Sequence, residues 1–340
     1  MTFDRYLRQV VAGEPLSSDE AYTAANLLLS EDITEIKAAA FLTALRTRRE
    51  TEAELFGFTM ALMEHAVTIE TGMETLDTCG TGGDGKGTFN ISTAAALVVA
   101  ACGIPVAKHG NRAVTGQTGS ADVLETLGVR VDLKPHEALR CLETAGITFL
   151  FAPHYHPVMK QMGPIRRGLG VPTVFNYLGP LINPFELAYQ VMGVSDPMAQ
   201  EPIARAMSRL NRKHALVVHA ANGMDEISPT GTTRIFDIQP EGIFDYHFNP
   251  ADYAIEPAEL SALQGKDSQD SARIIVGVLQ GEPGPRRNVV LLNAAAALMA
   301  AGKGNYATCL ALAAETIDSG RALNTLHQLV RASQEVYPAC

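Results

Sequence analysis

Five glycines crowd into eight positions, Gly80, Gly82, Gly83, Gly85 and Gly87, between a short apolar run, Thr75 to Cys79, and an alanine- and valine-rich stretch, Ser92 to Cys102. The order predicts a strand, a loop that can take left-handed backbone conformations, and a helix. Such a loop lets backbone N–H groups approach an anion, and the helix N-terminus that follows adds a partial positive charge. Gly103 suits the helix stop, and Pro105 to Ala107 reads as a second strand that delivers Lys108 to the same sheet edge. The unit is a βαβ crossover with a phosphate-binding character.

Two nucleotide motifs fit the loop only in part. Gly80-x-Gly82-x-x-Gly85 matches the dinucleotide fingerprint, yet Lys108 and His109 stand where an acidic residue for the ribose hydroxyl is expected, about 20 or more positions on. Gly80-x4-Gly85-Lys86 approaches a triphosphate loop, but Gly87 occupies the place of the magnesium-binding Ser or Thr. Neither NAD nor a nucleoside triphosphate is the expected ligand.

The first 70 residues carry a helical pattern: Ser17 with Glu20 and Thr51 with Glu54 form capping boxes, while Ala38 to Leu45 and Leu55 to Val67 are apolar at helical spacing. From Thr75 onward, strands and helices alternate. Ser120 to Leu127 and Glu137 to Ala145 are predicted helices, stopped at Gly128 and Gly146, and Val129 to Leu133 and Ile147 to Ala152 are predicted strands. Ala215 to Val218 and Ile274 to Val278 are further strand candidates; Val289 to Ala301 and Tyr306 to Ser319 are helices. The expected fold class is α/β, a small N-terminal helical domain (1–70) and a larger α/β domain (71–340) with a mostly parallel central sheet flanked by helices.

A chain of 340 residues, 46% of them hydrophobic, has the material for a substantial core. Its net charge of −10 opposes nonspecific nucleic-acid binding. Five cysteines without metal-type spacing point to a reducing compartment, and neither a signal segment nor a membrane-length apolar run is present, so a cytoplasmic location is expected. Asp225 and Glu226 follow the strand Ala215 to Val218, and the pair fits either a solvated acidic turn or a hard-cation site beside a phosphorylated substrate.

The motifs Gly80 to Asp84, Asn90-x-Ser92-Thr93, Lys108 to Arg112, Gly119 to Asp122, Phe175-Asn176-x-Leu178-Gly179-Pro180-Leu181-x-Asn183-Pro184, Gly223 to Glu226 and Asn293-Ala294-Ala295 occur in this order along nearly the whole chain. The set resembles the anthranilate phosphoribosyltransferases of tryptophan biosynthesis. The resemblance implies transfer of a phosphoribosyl group from 5-phosphoribosyl 1-pyrophosphate to the amine of anthranilate, with magnesium. It implies phosphoribosyl pyrophosphate at Gly80, Thr81, Gly82, Gly83, Asp84, Thr88, Asn90, Ser92, Thr93, Lys108 and Thr115, with metal at Ser92, Asp225 and Glu226. For anthranilate it points to Gly80, His109, Asn111, His156 and Arg166. A homodimer through the helical domain, which part of 160–185 joins, also follows, with neither nucleic acid nor membrane as partner.

No acid or base is implied, because an aromatic amine keeps its lone pair at neutral pH; catalysis then consists of positioning and charge stabilisation. Arg166 suits a two-pronged carboxylate contact, and the adjacent Arg167 competes for that role because one sequence leaves the helix phase open. His156, read alone, suits a structural histidine better than a ligand contact, and the motif match reverses that preference. The chain departs from the family pattern at Ala113 to Thr118, where a serine hydroxyl and a lysine charge are missing, and at Gly168 and Pro172. Pyrimidine nucleoside phosphorylases share the broad architecture, and a noncatalytic nucleic-acid-binding paralogue would share the scaffold; the Lys108 and Phe175 motifs favour the transferase over the first, and the acidic charge with Asp225-Glu226 over the second.

Overall fold

A computed structural model describes residues 2–30, 33–113 and 118–335. Four helices open the chain: α1 (Phe3–Val11), α2 (Ser18–Leu28), α3 (Glu35–Arg48) and α4 (Glu52–Glu64). Both predicted capping boxes form: Ser17 and Glu20 cap α2 and Thr51 and Glu54 cap α4, each cap worth about 1 kcal/mol. The alternating part runs β1 (Thr75–Gly80), α5 (Ile91–Ala101), β2 (Val106–Gly110), α6 (Ser120–Thr126), α7 (Pro135–Ala145) and β3 (Ile147–Phe151). Next come α8 (Ala152–Tyr155), α9 (Met162–Leu169), α10 (Phe175–Leu178), β4 (Leu187–Gly193), α11 (Pro197–Met207) and β5 (His214–Ala220). A hairpin, β6 (Thr233–Gln239) and β7 (Gly242–Phe248), then precedes α12 (Ser268–Leu279), α13 (Pro285–Ala300), α14 (Tyr306–Asp318) and α15 (Arg321–Gln334).

The seven strands form one sheet in the order β3-β2-β1-β4-β5-β6-β7, parallel through β5 and antiparallel at the β6–β7 edge. Chain order reverses between β1 and β4, so the carboxyl ends of these two neighbours define the switch-point crevice where open α/β sheets take ligands. Alternation along β5 serves both layers: Leu216 and Val218 join the core formed with α5, α13 and α15, while Ala215 and Val217 face the core shared by α1 to α4, α9, α10 and α11. The N-terminal helices thus pack with Met162, Ile165, Phe175 and Leu178 rather than forming an isolated bundle.

Two strand expectations fail. Val129, Val131 and Leu133 are buried in alternation, but the segment pairs with no strand; its Arg130 N–H donates to Ser333 Oγ on α15 (3.0 Å), so helix packing satisfies the period of two. Ile274 to Val278 lies inside α12, because Asp267 caps that helix through the Asp270 N–H (2.8 Å) and the β-branched residues fill a helical core face. The second strand also extends beyond Pro105 to Ala107, placing Lys108 and His109 within β2.

Candidate active site at the switch point

Gly82, Gly83, Gly85 and Gly87 all have positive φ, between 64° and 76°, which is why glycine stands at these four positions. The Gly82 N–H donates to Asp225 Oδ2 at 2.9 Å, bridging the loops after β1 and β5. Gly80 and Gly193 are cross-strand partners of β1 and β4, and together they cradle Asp225. A Cβ on Gly80 would lie 2.5 Å from Asp225 Oδ2, and one on Gly193 would lie 1.4 Å from the Asp225 carbonyl oxygen. Asn293 of α13 fixes the far side of the acidic turn, accepting from the Ile227 N–H and donating to the Ile227 carbonyl, both at 3.0 Å.

Asp84, Asp225 and Glu226 bring carboxylate oxygens within 4.8 Å of one another. Burial, reinforced by Asp84, raises Asp225 to about 6, and burial beside Asp225 raises Glu226 well above the usual carboxylate range. Buried oxygens on Asp84 and Glu226 have no hydrogen-bond partner among the described residues. Three crowded oxygen donors with unmet valence fit a hard divalent cation; Asp225 is buried and Glu226 half-buried, so the pair is not a fully solvated turn. Asp84 thereby lies with Asp225 and Glu226, where the sequence marked only those two carboxylates for metal. Ser92 instead accepts from Lys108 Nζ (3.3 Å), although it lines the same small cleft as Asp225, Glu226, Gly193 and Asn293.

Lys108 is buried beneath the N-terminus of α5, and its ammonium also donates to the Thr78 carbonyl (2.6 Å). Burial lowers its pKa, and Asp77 and Glu226 oppose that shift. Asn90 caps α5 in position but donates to the Thr118 carbonyl (3.3 Å), Thr93 is buried with an unpartnered hydroxyl, and Thr88 bridges Gln264. Thr115 and the Gly116–Gln117 departure lie outside the described residues.

A second cluster flanks this one. His109 and His156 meet edge to face, ring centroids 5.2 Å apart, and burial depresses them to about 3 and about 4 respectively. His109 Nδ1 lies 3.0 Å from the Gly179 carbonyl, which assigns the proton to Nδ1 and leaves the buried Nε2 as an open acceptor. Neither ring nitrogen of His156 forms a hydrogen bond of normal geometry. In α9, Arg166 is half-buried with its guanidinium 5.8 Å from the Phe175 ring centroid, whereas Arg167 is exposed; the helix phase is thereby resolved. Arg166 has no carboxylate partner among the described residues. Asn111 is exposed at the end of β2, its Oδ1 accepting from the Arg112 N–H.

Residues 72–323 match a glycosyl transferase family model for an α/β domain, and residues 4–66 match the family's helical bundle domain. An anthranilate phosphoribosyltransferase from Syntrophomonas wolfei is 58% identical over 339 residues, covering 99% of this chain and 100% of that relative. The chain belongs to this family. A family member from Thermus thermophilus superposes with a TM-score of 0.91 at 38% identity, over 97% of this chain and 99% of the other. The Saccharomyces cerevisiae member, solved in complex with phosphoribosyl pyrophosphate and magnesium, gives 0.89 at 28% identity, over 97% of each chain. The fold class and the family resemblance read from the sequence are therefore correct. No helix among the described residues is long and apolar enough to cross a membrane.

Proposed function

We propose that the chain transfers the phosphoribosyl group of 5-phosphoribosyl 1-pyrophosphate to the amine of anthranilate, giving N-(5-phosphoribosyl)anthranilate and pyrophosphate in tryptophan biosynthesis. The observation that carries this reading is the juxtaposition at one sheet edge of a glycine loop, a buried lysine and three carboxylates, with two buried neutral imidazoles on the strand that carries the lysine and the segment after β3. Breaking the C1–O bond leaves positive charge on the ribose and negative charge on pyrophosphate, so groups that stabilise the departing anion lower the barrier. The loop N–H groups and the α5 N-terminus receive the anion, and Lys108 supplies positive charge from below through Ser92. Asp84, Asp225 and Glu226 hold magnesium, which neutralises pyrophosphate charge when bound.

On the acceptor side, Arg166 takes the anthranilate carboxylate in a bidentate contact. His109 and His156, neutral at physiological pH, offer apolar ring faces without repelling the developing ribosyl cation, and His109 Nε2 accepts an amine N–H. Gly80, Thr81, Asn90, Thr93, Thr88 and Thr115 complete the donor side and Asn111 the acceptor side, as the family pattern implies. Purified protein with magnesium and both substrates should consume anthranilate fluorescence and release pyrophosphate in equal amounts; fluorescence that persists while pyrophosphate appears would refute the acceptor.

The protein works in the cytoplasm, in keeping with free thiols at Cys79, Cys102, Cys141 and Cys309. Two copies pair through the helical region, where Val11, Ile36 and Met60 expose apolar surface on α1, α3 and α4, Ile36 to 82%. Light scattering at micromolar concentration should return twice the chain mass of 36.3 kDa; a monomer mass would refute the pairing.

A further inference from the structure

The elbow that follows β4 has no counterpart in the sequence motifs, yet it touches the glycine loop at the exposed Gly82–Gly83 turn. Ser195 Oγ donates to the Gly82 carbonyl at 2.9 Å, the Ser195 N–H donates to Thr81 Oγ1 at 3.0 Å, and the two hydroxyl oxygens lie 3.1 Å apart. The Thr81 N–H in turn donates to the Gly193 carbonyl, also at 2.9 Å. The next residue fixes the elbow itself. Asp196 caps α11 through the Met198 N–H (3.0 Å) and accepts from Arg46 of α3 and Tyr177 of α10, each at 3.1 Å. Ser195 is therefore held by the helical region while it holds the loop.

We propose that Ser195 is a positioning residue for the phosphoryl-binding loop, acting by fixing the orientation of the peptide between Gly82 and Gly83. In a trans peptide the carbonyl and the following N–H point in opposite directions. With the Gly82 carbonyl turned to Ser195, the Gly83 N–H is turned to the exposed mouth, where it forms no hydrogen bond with the described residues. The Gly82 N–H is meanwhile held by Asp225. Two successive glycines resist a peptide flip poorly, because each tolerates both signs of φ. Thr81 Oγ1 donates to the same carbonyl only at 3.3 Å, so without the serine hydroxyl the peptide is held weakly and can rotate to present its carbonyl oxygen to an incoming phosphate, replacing a donor with a repelling acceptor.

This role rests on the proposed function, and the test separates the two. Calorimetric titration with phosphoribosyl pyrophosphate in magnesium buffer should show Ser195→Ala binding about three- to tenfold more weakly than wild type, the worth of one hydrogen bond. Its KM for anthranilate and its thermal midpoint should be unchanged. Ser195→Thr, which keeps the hydroxyl, should restore binding to within about twofold. Equal binding by Ser195→Ala, an equal rise in both KM values, or no rescue by threonine would overturn the positioning role while leaving the transferase intact. A wild-type chain that binds no phosphoribosyl pyrophosphate would overturn both.

Discussion

Asp225→Asn combined with Glu226→Gln is expected to abolish magnesium-dependent turnover, with a loss on the order of a hundredfold to ten-thousandfold, because a cation worth several kcal/mol of charge stabilisation would lose two of the three carboxylates proposed to hold it. The fold should survive. Both carboxyls are pushed up by burial, so protonation is favoured in the folded chain relative to the unfolded one. For such a group the stabilising contribution is present at low pH and is lost as pH rises through the folded value, about 6 for Asp225; at neutral pH the metal-free pair is a liability. The amide variant removes that liability at nearly constant shape, so its thermal midpoint without metal should equal or exceed that of wild type. Added magnesium should raise the wild-type midpoint and leave the variant unmoved. Retained turnover at limiting magnesium, or a preserved magnesium-induced shift, would remove these carboxylates from the metal role.

The first crossover was legible in the sequence because each of its signals is local. Glycines that require positive φ, an apolar helix and a strand carrying Lys108 lie within about thirty residues, and the structure reproduces them with small changes in boundary. Strand β4 was not legible: Tyr189 and Gln190 read as polar, and only the fold supplies the Pro180 carbonyl that satisfies buried Gln190 at 2.6 Å. The same limit applies at the site. Asp84 has no sequence neighbour that marks it as a metal ligand, since Asp225 and Glu226 reach it from the loop after a different strand. Ser195 and Gly193 matter through contacts with loops after β1 and β5, and a serine or glycine at a strand end carries little signal by itself. The failed strands teach the complementary point. Alternation at Val129 to Leu133 and β-branching at Ile274 to Val278 report burial, and what lies opposite decides whether that burial is in a sheet or against helices.

Arg166→Lys is expected to raise the KM for anthranilate by roughly tenfold to a hundredfold while leaving that for phosphoribosyl pyrophosphate nearly unchanged, the equivalent of about 1.5–3 kcal/mol for one charge-assisted contact. The guanidinium is half-buried with its stem in α9 and its plane near Phe175, and burial pulls its pKa down without any acid among the described residues to compensate. A cation kept in that state meets its match in a ligand carboxylate, which supplies the missing charge and accepts two N–H donors at once. Lysine keeps the charge but offers no planar fork, and its shorter, strongly hydrated head must be desolvated at the same position. Arg167→Lys, on the exposed side of the same helix, is the internal control and should change neither constant. The acceptor chemistry sharpens the test: removing the carboxylate from the substrate, as in aniline, should cancel most of the difference between wild type and Arg166→Lys. A parallel rise in both KM values would mean that the pocket had collapsed, and a sensitive Arg167→Lys with an insensitive Arg166→Lys would reverse the assignment of the two arginines.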